Sequence, residues 1–284
     1  MTSVSLKVVA AGVATTVQDL GRPGFAHLGV PRSGALDRPA AALANRLVGN
    51  SVDAAVLEVT LGGLALRTDA GCWVAVTGAA VPISVGGRPG AYAEAQWLPA
   101  GATLALGTPA SGVRSYVAVA GGIAVDPVLG SRSTDTLSAI GPAPLVAGAV
   151  LPVGAGRSPV ALDTPPRREA DGLRLHPGPR PEWFATDALD RLCDGRWTVL
   201  PASDRVGLRL TGEPLVRREG ELASEGMVLG AVQVPPDGRP VVFLADHPTT
   251  GGYPVVAVVD PADLWQCAQL RPGEAVSFRR GARA

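Results

Sequence analysis

The sequence predicts a mainly β protein assembled from short strands. The 284 residues include 36 glycines and 26 prolines, more than a fifth of the chain, so it turns often and sustains few helices. Hydrophobic residues make up 46% but aromatic ones only 4%, which leaves the core to Val, Leu, Ala and Ile. Brief apolar runs alternate with Gly, Pro or Asp, the spacing of barrels and sandwiches.

In chain order, Leu6–Val8 opens the first half as a strand, and one helix follows. Asp37 has the character of an N-cap, Pro39 sits in the first turn, residues 40–48 continue it, and Gly49 stops it. Strands are expected at 64–66, 73–76, 83–85, 103–106 and 116–119. In the second half, Leu173–Leu175 opens a further set at 198–200, 208–210, 231–234, 241–244, 255–259 and 275–278. Short helices are expected at 181–192 and 261–270.

The pattern Leu-x-x-Gly-x-x-apolar-x-apolar occurs at 98–106, 145–153 and 270–278. The first and last copies, like the two opening strands, lie roughly 170 residues apart, which suggests a duplicated β unit. The proline-rich segment 158–168 reads as the linker, giving domains 1–165 and 166–284.

A chain of this length buries roughly three quarters of its unfolded surface, which excludes intrinsic disorder as its main description. Acidic and basic residues balance at 25 each. No basic run exceeds a pair, so no nucleic-acid partner is expected. The longest uncharged stretch, 136–156, is broken by prolines, and no membrane span or signal peptide is expected. Cys72, Cys193 and Cys267 are far apart and accompany only three histidines. That argues against a disulfide framework or zinc site and points to a cytoplasmic protein without metal. Lys7, the single lysine, follows Leu6, so covalent biotin and PLP are not expected. No P-loop and no Gly-x-Ser-x-Gly elbow is present.

Polar residues gather in four clusters: Thr16–Gly24, Gly130–Asp135, Ser203–Leu210 and Ala245–Pro254. Each reads either as a turn closed by Asx and Ser/Thr side chains or as part of a site. The fourth is the sharpest. Its glycines admit a ligand to the backbone, while Asp246, Thr250 and Tyr253 offer acceptors and donors.

Several segments carry a family resemblance: Gln18–Arg22, Gly29–Asp37, Ala44–Asn50, Gly130–Asp135, Pro177–Pro179, Ser203–Leu210, Ser224–Gly226, Gln233–Gly238 and Thr249–Pro254. In this order along nearly the whole chain, they resemble the allophanate hydrolase subunit 2 family. That family comprises KipA-like proteins, understood as the C subunit of 5-oxoprolinase, and the carboxyltransferase region of urea carboxylase. The resemblance implies two cyclophilin-like β-barrel domains. It also implies an ATP-dependent opening of pyroglutamate to glutamate, carried out with a KipI-like B subunit and a LamB/YcsF-like A subunit. The alternatives are a biotin-dependent carboxyltransferase component and a non-enzymatic KipI antagonist.

The site that follows combines Arg205, beside Asp204, as the grip on a carboxylate or phosphate with Asp246 as acid/base. Substrate contacts are expected from Asp19, Arg132, Ser224, Gln233, Thr249, Thr250, Gly251, Gly252 and Tyr253. The competing reading of the same residues is structural, with an Asp204–Arg205 ion pair and Asp246 closing a turn. Two departures stand out. The 140–145 segment is shorter than in the family and lacks its arginine, and Pro248 replaces a glutamine.

Overall fold

The computed structural model describes residues 4–156, 158–159 and 170–281. The chain divides into two compact units: Met1–Arg22, Ser33–Asp135 and Ala139–Arg167 form one, and Pro23–Arg32, Thr136–Ser138 and Arg168–Ala284 the other. The expected linker, apart from Ser158 and Pro159, and the boundary at 165–166 lie outside the described residues.

The first unit contains two antiparallel sheets. In spatial order one runs Val150–Pro152, Ser5–Ala11, Leu64–Thr68, Thr103–Leu106, Ile83–Val85, Arg88–Pro89. The other runs Ala14–Gln18, Val56–Thr60, Arg114–Val119, Cys72–Gly78, Gln96–Leu98. Alternation along each strand points Leu6, Val8, Leu66 and Leu104 of the first sheet, and Leu57, Val59, Val76 and Val117 of the second, into one core. Each such side chain contributes roughly 2 kcal/mol by leaving water.

The second sheet is covered on its other face as well. Ala41, Ala44 and Leu47 of helix Arg38–Leu47 pack on Val56, Ala75, Tyr116 and Ala118. Strand Arg114–Val119 is therefore buried along its whole length, which is why its centre is an unbroken apolar run. The helix starts where its cap dictates, with Asp37 Oδ1 accepting from the Ala40 amide at 3.0 Å.

The second unit is one eight-stranded sheet. Its order is Ala275–Val276, Trp197–Val199, Gly207–Thr211, Val241–Phe243, Ala231–Gln233, Val255–Val259, Leu173–Pro177, Phe278–Arg280. The two end strands are separated in sequence by Ser277 alone, so the sheet is nearly closed into a barrel. Leu208, Val242, Val232 and Ala257 follow one another across the register, each at most 2% exposed. On the opposite face Ala231, Val241, Phe243 and Val255 form a separate apolar layer with Met227 against it. A two-stranded ribbon, Glu225–Gly226 with Thr250–Gly251, leads directly into Met227.

The fold is thus mainly β with few and short helices among the described residues, as the sequence predicts, and the sheet of the second unit is nearly closed into a barrel. The helices of the second half differ from expectation. Residues 181–192 split into a 3-10 turn, Pro181–Trp183, and a helix, Ala188–Asp194. Phe184 between them is extended and bridges to Arg217, which takes its backbone out of any helical ladder. The helix expected at 261–270 is only Leu264–Cys267.

The repeated Leu-x-x-Gly pattern has a local cause. In each copy a turn closes from residue i+3 to i: Ala102 N to Pro99 O, Ala149 N to Val146 O, Glu274 N to Arg271 O. Its third residue is a glycine at positive φ, 71° for Gly101, 91° for Gly148 and 88° for Gly273, the conformation a type II turn requires. In each, the glycine amide then bonds to the neighbouring strand, at Thr68, Val8 and Val199 respectively. Two of the three copies lie in the first unit, so the pattern marks a turn-and-strand device rather than a domain.

Candidate functional site

In the first unit the polar residues collect at the end of strand Ala14–Gln18. Asp19 follows it, and its carboxylate organises a neighbouring loop. Oδ1 accepts from the Gly21 amide at 2.7 Å and from the Ser131 and Ser133 hydroxyls at 2.6 Å each, while Oδ2 accepts from the Arg132 amide at 2.6 Å. Arg132 donates from Nε to the Val125 carbonyl at 2.7 Å. Arg22 is buried, 1% exposed, and donates to the carbonyls of Val128 and Ser133. Asp19 and Arg132, expected as substrate contacts, thus brace the loop that carries Ser133 and Thr134.

A second network lies on the helix-covered face of the same sheet. Glu58, 1% exposed, accepts from the Leu36 amide at 2.9 Å and from the Tyr116 hydroxyl at 2.8 Å. Tyr116 Oη in turn accepts from the Asp37 amide at 2.7 Å, and Arg114 Nε stands 3.4 Å from Glu58 Oε1. Burial, with the nearby Glu58 and Asp37 charges, pushes the Tyr116 phenol well up, so it remains a donor. The network pins the segment leading into the helix. Sequence reading missed Glu58 and Tyr116, although an acidic residue inside Val56–Thr60 is a visible anomaly.

In the second unit Arg205 and Asp246 meet. Nε donates to Oδ2 at 2.9 Å and Nη2 to Oδ1 at 3.1 Å, a bidentate pair with Arg205 7% and Asp246 0% exposed. Thr136, which belongs to this unit, donates to Asp246 Oδ2 from its amide at 2.9 Å and its hydroxyl at 2.7 Å. Burial alone would raise this carboxyl. The Arg205 guanidinium and the Thr136 bonds outweigh it and hold the group below the usual carboxylate range. Asp204 is exposed, and its Oδ1 accepts from the Val206 and Gly207 amides at 2.8 and 3.0 Å. It closes the turn before strand Gly207–Thr211, and Arg205 pairs across the chain with Asp246. Thr136 escaped the sequence reading because nothing local links it to a residue 110 positions away.

The remaining expected contacts surround the ribbon. Thr249 O accepts from the Met227 amide at 2.9 Å. Thr250 and Gly251 pair with Gly226 and Glu225, beside Ser224. Gln233, 6% exposed, donates to the Tyr253 carbonyl at 3.1 Å. The Gly251 position is tight: a Cβ there would lie 2.7 Å from Gln233 Nε2. Tyr253 is 43% exposed, with the Arg217 guanidinium 6.0 Å from its ring centroid. Arg180 Nε donates to Glu225 of the ribbon at 3.1 Å. His247 stacks on Phe243 and its Nδ1 lies 2.7 Å from the Pro248 carbonyl. Burial pushes its pKa down, so the ring is neutral at neutral pH. A shallow cleft of about 390 Å³, lined by Leu215, Arg217, Arg218 and Asp237, lies on this unit.

Among the described residues no group of three or more His, Cys, Asp or Glu is placed to hold a metal ion. No helix among them is long and apolar enough to cross a membrane.

Comparison with known proteins gives a consistent result. Residues 28–280 match the family model of the carboxyltransferase domain, subdomain A and B. The chain is 40% identical over 283 residues to the 5-oxoprolinase C subunit of Escherichia coli strain K12, covering 96% of this chain and 90% of that protein. The crystal structure of TTHA0988 superposes with a TM-score of 0.87 at 43% identity, over 97% of this chain and 55% of that one. The Kluyveromyces lactis urea carboxylase structure superposes with a TM-score of 0.87 at 30% identity, over 96% of this chain and 27% of that one. The chain therefore spans about half or less of these two solved proteins. With a family match over most of its length and an Escherichia coli relative aligned over 90% of that protein, the protein belongs to the carboxyltransferase-domain family that includes the C subunit of 5-oxoprolinase.

Proposed function

We propose that this chain is the C subunit of an ATP-dependent 5-oxoprolinase, which opens pyroglutamate to glutamate together with a KipI-like B subunit and a LamB/YcsF-like A subunit. The observation that carries this reading is the 40% identity to the Escherichia coli protein over 96% of this chain. The chemistry is coherent, since amide resonance makes a five-membered lactam resist water. Phosphorylation of the amide oxygen by ATP opens the ring carbon to attack.

Within this reading Arg205 and Asp246 position the site instead of moving protons. A carboxylate with no solvent exposure and a lowered pKa is a poor proton carrier at neutral pH. Its negative charge holds the Arg205 and Thr136 segments together. Asp204 shapes the preceding turn. Ser224, Gln233 and Thr249–Tyr253 offer substrate contacts around the ribbon, and Asp19 with Arg132 supports the loop of the first unit.

The test is to co-express the chain with the two partner subunits and follow glutamate and phosphate released from 5-oxoproline and ATP. Glutamate formed in step with phosphate is the expected result. A correctly assembled complex that forms none would overturn the reading. One observation favours a second reading, the structural match to urea carboxylase. In that case the complex would consume carboxybiotin borne by another protein and would show no dependence on 5-oxoproline.

A further inference from the structure

We propose that Gln18, Ser33 and Thr134 form a recognition site in the first unit for the donor–acceptor edge of a cis-amide. The choice of a lactam as its occupant rests on the 5-oxoprolinase reading; the site itself rests on separate geometry.

The register sets Thr16 opposite Glu58, and Glu58 opposite Tyr116, so Thr16 and Gln18 share the helix-covered face of their sheet. Over that face the segment after Ser33 is tied down three times: Ala35 N to Asp19 O at 3.0 Å, Leu36 N to Glu58 Oε2 at 2.9 Å, Asp37 N to Tyr116 Oη at 2.7 Å. On the other side Thr134 N donates to Val17 O at 2.9 Å. Gln18, Ser33 and Thr134 thus border the end of one strand, and they are 0%, 1% and 2% exposed.

Three of their polar atoms, Gln18 Oε1, Ser33 Oγ and Thr134 Oγ1, have no hydrogen-bond partner among the described residues. The Gln18 amide orientation is settled by its neighbours. Nε2 donates to Thr16 Oγ1 and to the Thr134 carbonyl, both at 3.0 Å, and a carbonyl only accepts. Oε1 therefore offers an acceptor with nothing facing it. Ser33 and Thr134 each add a hydroxyl able to donate. Buried polar atoms are rarely left so, and three on residues that border one strand end suggest a built site. Ser33 also holds a left-handed backbone, φ 55°, which a non-glycine residue adopts at a cost.

The proposed complement to one acceptor and two donors around a single strand end is a ligand with N–H and C=O on the same edge. A trans peptide places them on opposite edges. A lactam ring or urea places them together, and the lactam is the occupant proposed.

The test is calorimetric titration of the full chain, and of the co-purified complex, with 2-pyrrolidinone, 5-oxoproline, urea, and proline as a control without the amide. Thr134→Val removes one hydroxyl at constant shape, and Ser33→Gly removes the other while relieving the strained φ. Both lactams should bind, proline should not, and each variant should weaken lactam binding by about tenfold, the loss of one hydrogen bond, with melting temperature little changed. Flat isotherms for all amides would mean that the three atoms hold ordered water only, and would overturn the site. So would lactam affinity unchanged in both variants.

The two proposals fail separately. Normal 5-oxoproline turnover and binding in both variants removes the site and leaves the function. Binding weakened by both variants in a complex without turnover keeps the site and removes the function. Urea bound in place of both lactams supports a cis-amide site and removes the lactam.

Discussion

Asp246 accepts four hydrogen bonds, two from Arg205 and two from Thr136, and is wholly shielded from water. Deleting one member of such a pair leaves the other charge buried and unanswered, at a cost of about 3–5 kcal/mol. Asp246→Asn is expected to lose stability of that order in urea unfolding, with Arg205→Lys milder because one charged bond survives. The pH dependence has a definite sign. The folded carboxyl is held below its unfolded value, so its contribution is complete above an unfolded pKa of about 3.9 and fades as pH falls through the folded value. Asp246→Asn should therefore flatten the acid side of the stability profile. An acid side identical to wild type would show that the pair is not what the structure describes.

At the level of elements, the turn device is the clearest test of local physics. A Cβ at Gly148 or Gly273 would meet no atom within 4 Å, so replacement by alanine costs backbone strain alone. Each is expected to lose about 1 kcal/mol in thermal or urea unfolding, and similarly in both units. The helix Arg38–Leu47 depends instead on a distant strand. Tyr116→Phe strips the Asp37 amide of its acceptor and Glu58 of a donor, and should cost about 1–3 kcal/mol. A near-neutral effect would mean that water replaces the hydroxyl.

For the molecule as a whole, the two units do not follow the halves of the sequence, because Pro23–Arg32 and Thr136–Ser138 belong with the second. A fragment beginning at residue 170 lacks Thr136 and so two of the four bonds to Asp246. It is expected to give poorly dispersed amide spectra where the full chain gives sharp ones. In the proposed complex the chain should be inactive alone and should co-elute with the KipI-like partner. Full turnover by the isolated chain would contradict that.

Many strand positions, the capped helix and the mainly β class were legible along the chain, because alternation, caps and glycine turns act within a few residues. The short strand Val56–Thr60 was not, since its central Glu58 breaks the apolar pattern and is tolerated only with Tyr116 and the Leu36 amide around it. The same holds for the site. Motifs named Asp19, Arg205 and Asp246 as notable residues, yet Ser131 and Ser133, which answer Asp19, and Thr136, which answers Asp246, lie more than a hundred positions away. Hydrogen bonding of a buried charge is satisfied by whatever the fold brings near, so local sequence marks the charge, and only packing chooses what answers it.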